Sequence, residues 1–441
     1  MKSAEPQLDP APPSARSGPP FVSGLRDYLE VIRLFSRNAW LFLIGSFLMG
    51  INFQVFNLLL NLYLKELGYA EGDIGLVASG RAIGMTAMAI PVAVVLSRVR
   101  LKPILLATVA IFAFFSVFIV TLDRLPLLVG SAVLSGMAFA FYRVAGGPFY
   151  MRNSTARERT HLFSLSFGVM ILAGMAGSLL AGKTAALLTA RTGDLILAYR
   201  LTLVGGIGLS LLALIPFAFI QAAAPSAEEN RVIFTRERFR SRGLFYFQIT
   251  LVNLLIGTGA GLVIPFLNLY FSDRFQQPAD TIGYYFFLVN LSMLIGSLAG
   301  PVLAKRHGMV RTVVVTQLAS IPFMLVLSYG FILWLAVAAF VIRGGLMNLG
   351  SPIVTNLAME LSDRSEQGLV NALLTVSWTG SWMVSTALGG QMIESFGYTV
   401  AMNITIILYV ISSLVFYFFF RRTEKKVDRV NGWVIMRGET P

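Results

Sequence analysis

A tandem repeat constrains this chain more than any other feature. The tetrapeptide Leu-Asn-Leu-Tyr at 60–63 returns at 267–270, and each copy ends a long apolar run. A fixed long period of this kind indicates two homologous halves in the same order along the chain. Further matches keep their order at offsets of 204 to 210 residues: Ile74-Gly75 with Ile282-Gly283, Pro91-Val92 with Pro301-Val302, Pro148 with Pro352, and Gly174 with Gly380.

The composition places both halves in a lipid bilayer. Of the 441 residues, 56% are hydrophobic and only 13% are charged, which is too few charges for an ordinary water-exposed surface. Apolar stretches of about 20 residues, enough for a helix to cross about 30 Å of hydrocarbon, recur along the chain. We predict an all-α integral membrane protein with twelve transmembrane helices in two pseudo-symmetric six-helix halves. The predicted segments are 38–64, 73–97, 103–121, 126–150, 162–188, 198–221, 243–271, 281–304, 312–329, 331–358, 368–393 and 399–420.

The predicted domain boundaries follow from this division. Residues 1–37 are predicted to form a disordered tail and an amphipathic pre-helix, because the first 26 are rich in Pro, Ala and Ser. They lack the apolar core of a signal peptide. The N-terminal half then covers 38–222, a polar cytoplasmic linker 223–242, the C-terminal half 243–420, and a second cytoplasmic tail 421–441.

Basic residues predict the orientation in the membrane. The two tails, the linker and the even-numbered loops contain 26 of the 35 Lys and Arg residues. Positive residues favour the cytoplasmic side, so we predict that both termini are cytoplasmic and that the protein lies in a cell (inner) membrane. The formal net charge of +13 is spread over every inner loop, which indicates contact with anionic lipid and no nucleic-acid partner.

Several functional classes are disfavoured by what the chain lacks. It contains no cysteine and only two histidines, His161 and His307, both at predicted helix ends. Disulfides, thiol catalysis and cysteine metal sites are therefore excluded, and we predict neither a bound metal nor a cofactor. The cytoplasmic segments show no G-x-x-x-x-G-K-[ST] loop and no Ser/His/Asp set, so we predict that the protein is not an enzyme.

Three arginines lie inside predicted membrane segments. Arg81, Arg143 and Arg343 fall in segments 2, 4 and 10, whereas all 22 acidic residues lie outside the membrane core. Because an arginine in lipid costs at least ~2.5 kcal/mol, these side chains are expected to face a cavity or a partner. The alternative is a structural role, with each guanidinium bound by carbonyls at helix ends or by acids at the rim.

Polar and aromatic side chains complete the predicted binding site. Gln54, Asn57 and Asn61 share one face of segment 1, and Asn253 lies in segment 7. Trp378 in segment 11 is a candidate aromatic wall. The alternative interpretation is that the amides bond neighbouring helices together and that the tryptophan is packing.

Twelve segments in two parallel halves, a basic central linker and both termini inside resemble the major facilitator superfamily over residues 38–420. That family has a glycine- and cation-rich loop between helices 2 and 3 and a weaker copy between helices 8 and 9. Here the second copy is the better match, although Ala304 stands where the family has an acid. The resemblance implies a gating role for this loop and a cavity lined by helices 1, 4, 7 and 10. The predicted gating residues are Gly300, Lys305, Arg306, Gly308 and Arg311.

The resemblance and the core arginines together predict a secondary transporter. It is expected to move a small molecule by alternating access, with an anionic or amphipathic substrate because arginine suits carboxylate and phosphate groups. One alternative is an exporter of lipophilic drug-like compounds, in which Phe and Met residues form an adaptable pocket and the arginines are structural. A second alternative is a membrane receptor or assembly factor that transports nothing.

Overall fold

The computed structural model describes residues 31–221, 236–362 and 366–430, and in these residues all the regular structure is helical. The first half contains α1 (Arg37–Glu66), α2 (Glu71–Arg98), α3 (Leu101–Thr121), α4 (Leu125–Arg152), α5 (Ala156–Thr192) and α6 (Leu195–Leu211, then Leu214–Ala218). The second half contains α7 (Arg236–Val263, then Leu267–Phe275), α8 (Ala279–His307), α9 (Met309–Ala319, then Ile321–Tyr329), α10 (Leu333–Glu360), α11 (Gln367–Phe396) and α12 (Tyr398–Val430).

Ten of these helices are long and apolar enough to cross a membrane, so the chain is a multi-pass membrane protein. The other two, α2 and α11, have 28 and 30 residues. At a rise of 1.5 Å per residue, helices of this length exceed about 30 Å of hydrocarbon. Twelve spans therefore stay a prediction that the lengths of α2 and α11 support.

Prolines have different effects at different places. In α7 a 3₁₀ turn at Ile264–Phe266 interrupts the helix around Pro265, which has no N–H for the helical hydrogen-bond ladder. In α9 the break at Ser320 comes directly before the second piece, whose first turn contains Pro322. By contrast, the repeat-related Pro91 and Pro301 lie inside α2 and α8 without ending them.

The helices extend beyond the predicted segments at several ends. α7 begins at Arg236, so the last residues of the predicted linker are helical, with a kink at Arg242. α12 continues to Val430, ten residues past the predicted end of the C-terminal half. The predicted tail at 1–26, most of the pre-helix and most of the linker lie outside the described residues, although residues 31–33 are helical.

The halves meet along two pairs of helices, α2 with α11 and α5 with α8. α1 starts and α12 ends at the same end of the bundle, which we call the terminus side; the opposite end is the far side. One hydrophobic cluster draws on both halves at the far side, with Leu58 and Tyr63 beside Phe266 and Tyr270. At the terminus side there are two separate clusters, one confined to each half.

Candidate functional site

The duplicated tetrapeptide forms the contact that joins the halves at the far side. Asn61 Nδ2 donates to the Pro265 carbonyl oxygen at 2.6 Å, and Asn268 Nδ2 donates to the Leu58 carbonyl oxygen at 2.7 Å. Asn61 Nδ2 also lies 3.3 Å from Asn268 Oδ1. Each asparagine therefore bonds the carbonyl three residues before the other, which is the self-complementary pattern of a two-fold interface.

The two carbonyls that accept these bonds differ in their helical surroundings. The Pro265 carbonyl is available to Asn61 because the 3₁₀ turn interrupts α7 there. The tyrosines of the two copies, in contrast, behave alike: Tyr63 Oη donates to the Val120 carbonyl at 2.8 Å and Tyr270 Oη to the Leu327 carbonyl at 2.6 Å. The repeat thus preserves both the contact between halves and the contact that anchors each copy within its own half.

Two glycine crossings flank the asparagine contact. At the α2–α11 crossing, an ideal Cβ on Gly390 would lie 2.3 Å from the Glu71 carbonyl oxygen and 3.0 Å from Gly75 Cα. At the α5–α8 crossing, a Cβ on Gly283 would lie 2.5 Å from the Ser178 carbonyl oxygen and 3.3 Å from Gly182 Cα. Only glycine lets the backbones approach this closely. We call Asn61, Asn268 and these four glycines the far-side seal.

Charged side chains surround the far-side seal. Lys65 forms an ion pair with Glu71, and Glu394 Oε2 accepts from the Gly72 N–H at 3.0 Å, which links α11 to the start of α2. In the loop before α2, burial raises the pKa of the Tyr69 phenol, and Asp123 and Asp73 raise it further. Tyr69 therefore stays protonated and donates to the Asp123 carbonyl at 2.6 Å.

Arg81 lies ten residues into α2, between the far-side seal and the terminus side. Its Cζ is 5.8 Å from the centroid of the Phe53 ring and 5.5 Å from that of Phe56, both on α1. The side chain is half-buried. Within the described residues, its guanidinium forms neither a hydrogen bond nor an ion pair with a carboxylate. Cation–π contacts of about 0.5–2 kcal/mol each offset part of the desolvation cost and leave the positive charge uncompensated.

Arg143 lies on α4, which packs against α2, and is nearer the terminus side than Arg81. The Arg81 backbone packs against Gly136 of α4, where an ideal Cβ would lie 2.2 Å from the Arg81 carbonyl oxygen. Arg143 follows Gly136 by seven residues, which is about two helical turns and about 10 Å along the same face. Its side chain is exposed. Arg143 therefore lies about two helical turns from the point where α4 contacts the Arg81 backbone.

Arg343 is placed differently from the other two arginines. It is only 3% exposed, and its Nη2 donates to Tyr409 Oη on α12 at 2.9 Å. Its Cζ lies 5.6 Å from the centroid of the same ring. The guanidinium is thus enclosed within the C-terminal half and does not line the space between the halves in this conformation. Its role in substrate binding stays an untested prediction.

The predicted amides separate into two groups. Gln54 donates to Ser178 Oγ at 3.0 Å, and Asn253 donates to the Leu374 carbonyl at 2.6 Å and to Ser377 Oγ at 3.0 Å, so both link neighbouring helices of one half. Asn61 belongs to the far-side seal, and Asn57, one turn before it, is exposed. Trp378 is 37% exposed and its ring centroid lies 5.9 Å from that of Trp382.

The predicted gating loop lies at the terminus side, between α8 and α9. Gly300 packs on α10, because an ideal Cβ there would lie 2.9 Å from the Leu349 carbonyl oxygen. Gly308 joins the two helices with a φ angle of +88°, a value that favours glycine. The three cations Lys305, Arg306 and Arg311 are exposed. A gating role for this loop stays a prediction.

The predicted site omits residues that the structure brings to the boundary between the halves. Asn268 bonds across it, and the tetrapeptide repeat was the signal that could have identified it. Asn290 on α8 also reaches the other half: an ideal Cβ on Gly174 would lie 2.8 Å from its Oδ1. Thr86 faces Gly380 in the same way, with its Cγ2 at 3.8 Å.

This architecture defines a class of helical membrane proteins whose two parallel halves meet around a pseudo-two-fold axis. The family model of the Major Facilitator Superfamily matches the chain twice, over residues 42–249 and 249–434. The chain therefore belongs to the Major Facilitator Superfamily, which confirms the resemblance drawn from the sequence.

Solved transporter structures share the fold at low sequence identity. A bacterial homologue of the human lysosomal transporter Spinster, inward-facing and occupied, has a TM-score of 0.72 and 14% identity, and the match covers 93% of this chain and 99% of that one. The nucleoside transporter NupG gives 0.69 and 13%, covering 87% and 98%. A D-xylose–proton symporter gives 0.69 and 14%, covering 88% and 97%. No curated protein sequence matches the chain significantly.

Proposed function

We propose that this protein is a secondary transporter that moves a small molecule by alternating access, and that it is not an enzyme. One observation supports this most directly: the far side is joined by the far-side seal, while the hydrophobic core divides into two separate clusters at the terminus side. A pathway closed at one end and divided at the other corresponds to one of the two end states that alternating access requires.

The construction of the far-side seal favours a seal that opens. It consists of two short amide–carbonyl bonds and two glycine crossings, so the halves can separate there without unfolding a helix. Each net hydrogen bond contributes about 1 kcal/mol, so the two amide–carbonyl bonds together add only about 2 kcal/mol to the closed state of the far side. A ligand with a preference for one state then shifts the population.

Alternating access predicts that one residue reaches both sides of the membrane in turn. Because the chain has no cysteine, a single Asn57→Cys variant gives a clean background for a membrane-impermeant thiol reagent. In oriented vesicles during turnover, we expect the reagent to label Asn57→Cys when it is added on the terminus side and also when it is added on the far side. Ile295→Cys, at an exposed apolar position on α8, is the control and should react with neither. Labelling of Asn57→Cys from one side under every condition would contradict the mechanism.

We further propose an inner-membrane location with both termini cytoplasmic. The terminus side contains most of the basic residues of the chain, and positive residues favour the cytoplasm. Reporters fused after Lys65, Arg191 and Asp273 should all read as external, because these residues lie at the far ends of α1, α5 and α7. A cytoplasmic reading at any one of them would be incompatible with this topology.

The two alternative functions give different results in a flux measurement. A drug exporter should move neutral lipophilic compounds at least as fast as organic anions in proteoliposomes, because an apolar pocket does not compensate the cost of desolvating a charge. A receptor or assembly factor should bind a ligand and show no flux above protein-free vesicles. The proposed transporter should show saturable flux, because each cycle requires the halves to separate at the far side and close again.

A further inference from the structure

Within the described residues, no carboxylate forms an ion pair with Arg81 in the space between the halves. Described acids lie only near the ends of the helices, such as Glu71 and Glu394 at the far side and Glu158 and Glu360 at the terminus side. Two phenyl rings contact the guanidinium, yet its five N–H donors find no acceptor in the described residues. An anionic acceptor from outside the protein can pair with these donors and also neutralises the charge of the guanidinium.

Other polar atoms at the depth of Arg81 also lack partners. The α2–α11 crossing pairs Gly75 with Gly390 and Thr86 with Gly380, so the Arg81 level corresponds to residues near Ser385 on α11. Within the described residues, Thr86 Oγ1, Trp382 Nε1, Ser385 Oγ and Thr386 Oγ1 are buried without a hydrogen-bond partner. Ser385 Oγ faces α7, because an ideal Cβ on Gly261 would lie 2.0 Å from it, whereas Thr86 and Thr386 lie at the α2–α11 crossing. Buried polar groups are normally bonded, and the two threonine hydroxyls can donate to an oxyanion.

Aromatic rings around this position favour an apolar body on the ligand. Phe53, which contacts Arg81, stacks on Phe139 at 5.1 Å between centroids. On α11, Trp382 pairs with the partly exposed Trp378, and both pack beside α7, where an ideal Cβ on Gly257 would lie 3.5 Å from the Trp378 ring. Flat aromatic surfaces stabilise an apolar ligand by burying its surface.

Arg143 lies too far from the Arg81 contact for one carboxylate to pair with both arginines. Arg143 lies about 10 Å from the Arg81 contact along α4, at an exposed position nearer the terminus side. A cation at this distance raises the local concentration of anions at the entrance and guides them inward. Arg81, flanked by rings and closer to the far-side seal, is the end of that path.

We propose that the substrate is an organic monoanion, whose carboxylate or sulfonate pairs with Arg81 while its apolar body lies among the aromatic rings. This inference deepens the proposed transport function and rests on it. It separates the three core arginines by role: Arg81 binds the anionic group, Arg143 attracts it, and Arg343 bonds Tyr409 within the C-terminal half.

Charge-matched ligands test this proposal on the unmodified protein. The probes are naphthoate, phenylbutyrate, octanoate and octanesulfonate, each beside its neutral primary amide or sulfonamide. Binding to purified protein is measured by thermal shift and calorimetry, since a ligand of the folded state raises its stability. We expect at least one acid to bind and its neutral partner to bind about 10- to 100-fold more weakly, because the amide lacks the charge-assisted hydrogen bonds.

Variants then assign the effect to Arg81. Arg81→Gln should weaken the acid by about the same factor and leave the weak binding of the amide unchanged. Arg81→Lys should recover part of the affinity, because lysine keeps the charge without the planar fork. Arg191→Gln, which removes an exposed cation at the far end of α5, is the matched control and should change nothing.

The outcomes separate this inference from the transport proposal. Equal binding of acids and amides, unchanged binding in a folded Arg81→Gln variant, or no binding by any acid in the panel would each overturn it. Acid binding without flux in proteoliposomes would leave the site assignment standing and contradict transport. Saturable flux of neutral amides with no preference for the acids would support transport and contradict the anion site.

Discussion

Proteoliposomes preloaded with the unlabelled anion should take up the labelled anion about 70-fold faster than empty proteoliposomes. In the loaded state the anion neutralises Arg81, whereas the empty protein must close around an uncompensated cation. Burying an unpaired arginine costs at least ~2.5 kcal/mol, and a barrier higher by that amount slows the return of the empty protein about 70-fold. Exchange of one anion for another is therefore expected to be much faster than net transport.

The comparison needs a variant that removes the charge. In Arg81→Gln the empty protein has no cation to occlude, so the ratio of exchange to net uptake should fall toward one, even if the absolute rates also fall. Arg191→Gln should keep the ratio of the unmodified protein. Equal rates of exchange and net uptake in the unmodified protein would show that Arg81 is neutralised by the protein itself.

The same charge distribution bears on ion coupling. No Asp, Glu or His occupies the middle of a described helix, and arginine stays protonated throughout the physiological pH range. A pH gradient without a membrane potential should therefore not drive accumulation of an anion whose charge is constant over that range. Sustained accumulation, abolished by neutralising Glu66, Asp73 or Glu360 in a folded protein, would place a coupling site at the rim.

The sequence predicted the architecture because its signals are long and repeated. Each apolar run of about 20 residues has few alternatives to a membrane helix, and the tetrapeptide repeat defined the two halves. Helix ends were predicted less well. α12 continues to Val430, because a helix does not have to end where its apolar run ends. The break in α7 could not be predicted from the sequence alone, because it depends on the contact between Pro265 and Asn61 of the other half.

The site was only partly predictable, for a different reason. In the sequence, Arg81, Arg143 and Arg343 are each a lone cation in an apolar run, and only Arg143 stands apart, because it lies toward the inner end of segment 4, where a gating or structural role is expected. What separates them is the distant partner: Tyr409 lies 66 residues from Arg343, and Phe53 and Phe56 lie on the helix before Arg81. Spacing along one helix does not identify such partners, because they depend on how the helices pack.

Enlarging the glycines of the far-side seal should trap the protein with its far side open. Gly283→Leu and Gly390→Leu place a side chain where even a Cβ would lie 2.5 Å from the Ser178 carbonyl oxygen or 2.3 Å from that of Glu71. Overpacking of this kind costs about 1–3 kcal/mol, which shifts the ratio of closed to open far sides by about 5- to 150-fold. Transport should fall by a similar factor, because the cycle requires both states.

Distances between spin labels measure this shift directly. The pair at Arg124 and Ile332 reports on the far side, and the pair at Met151 and Thr355 on the terminus side. In Gly283→Leu the first distance should lengthen and the second shorten. Gly130→Leu is the control, because nothing lies within 4 Å of an ideal Cβ there, and both of its distances should match those of the unmodified protein. If Gly283→Leu folds, keeps the original distances and transports normally, then the α5–α8 crossing does not close the far side, and Asn61 and Asn268 alone would have to do so.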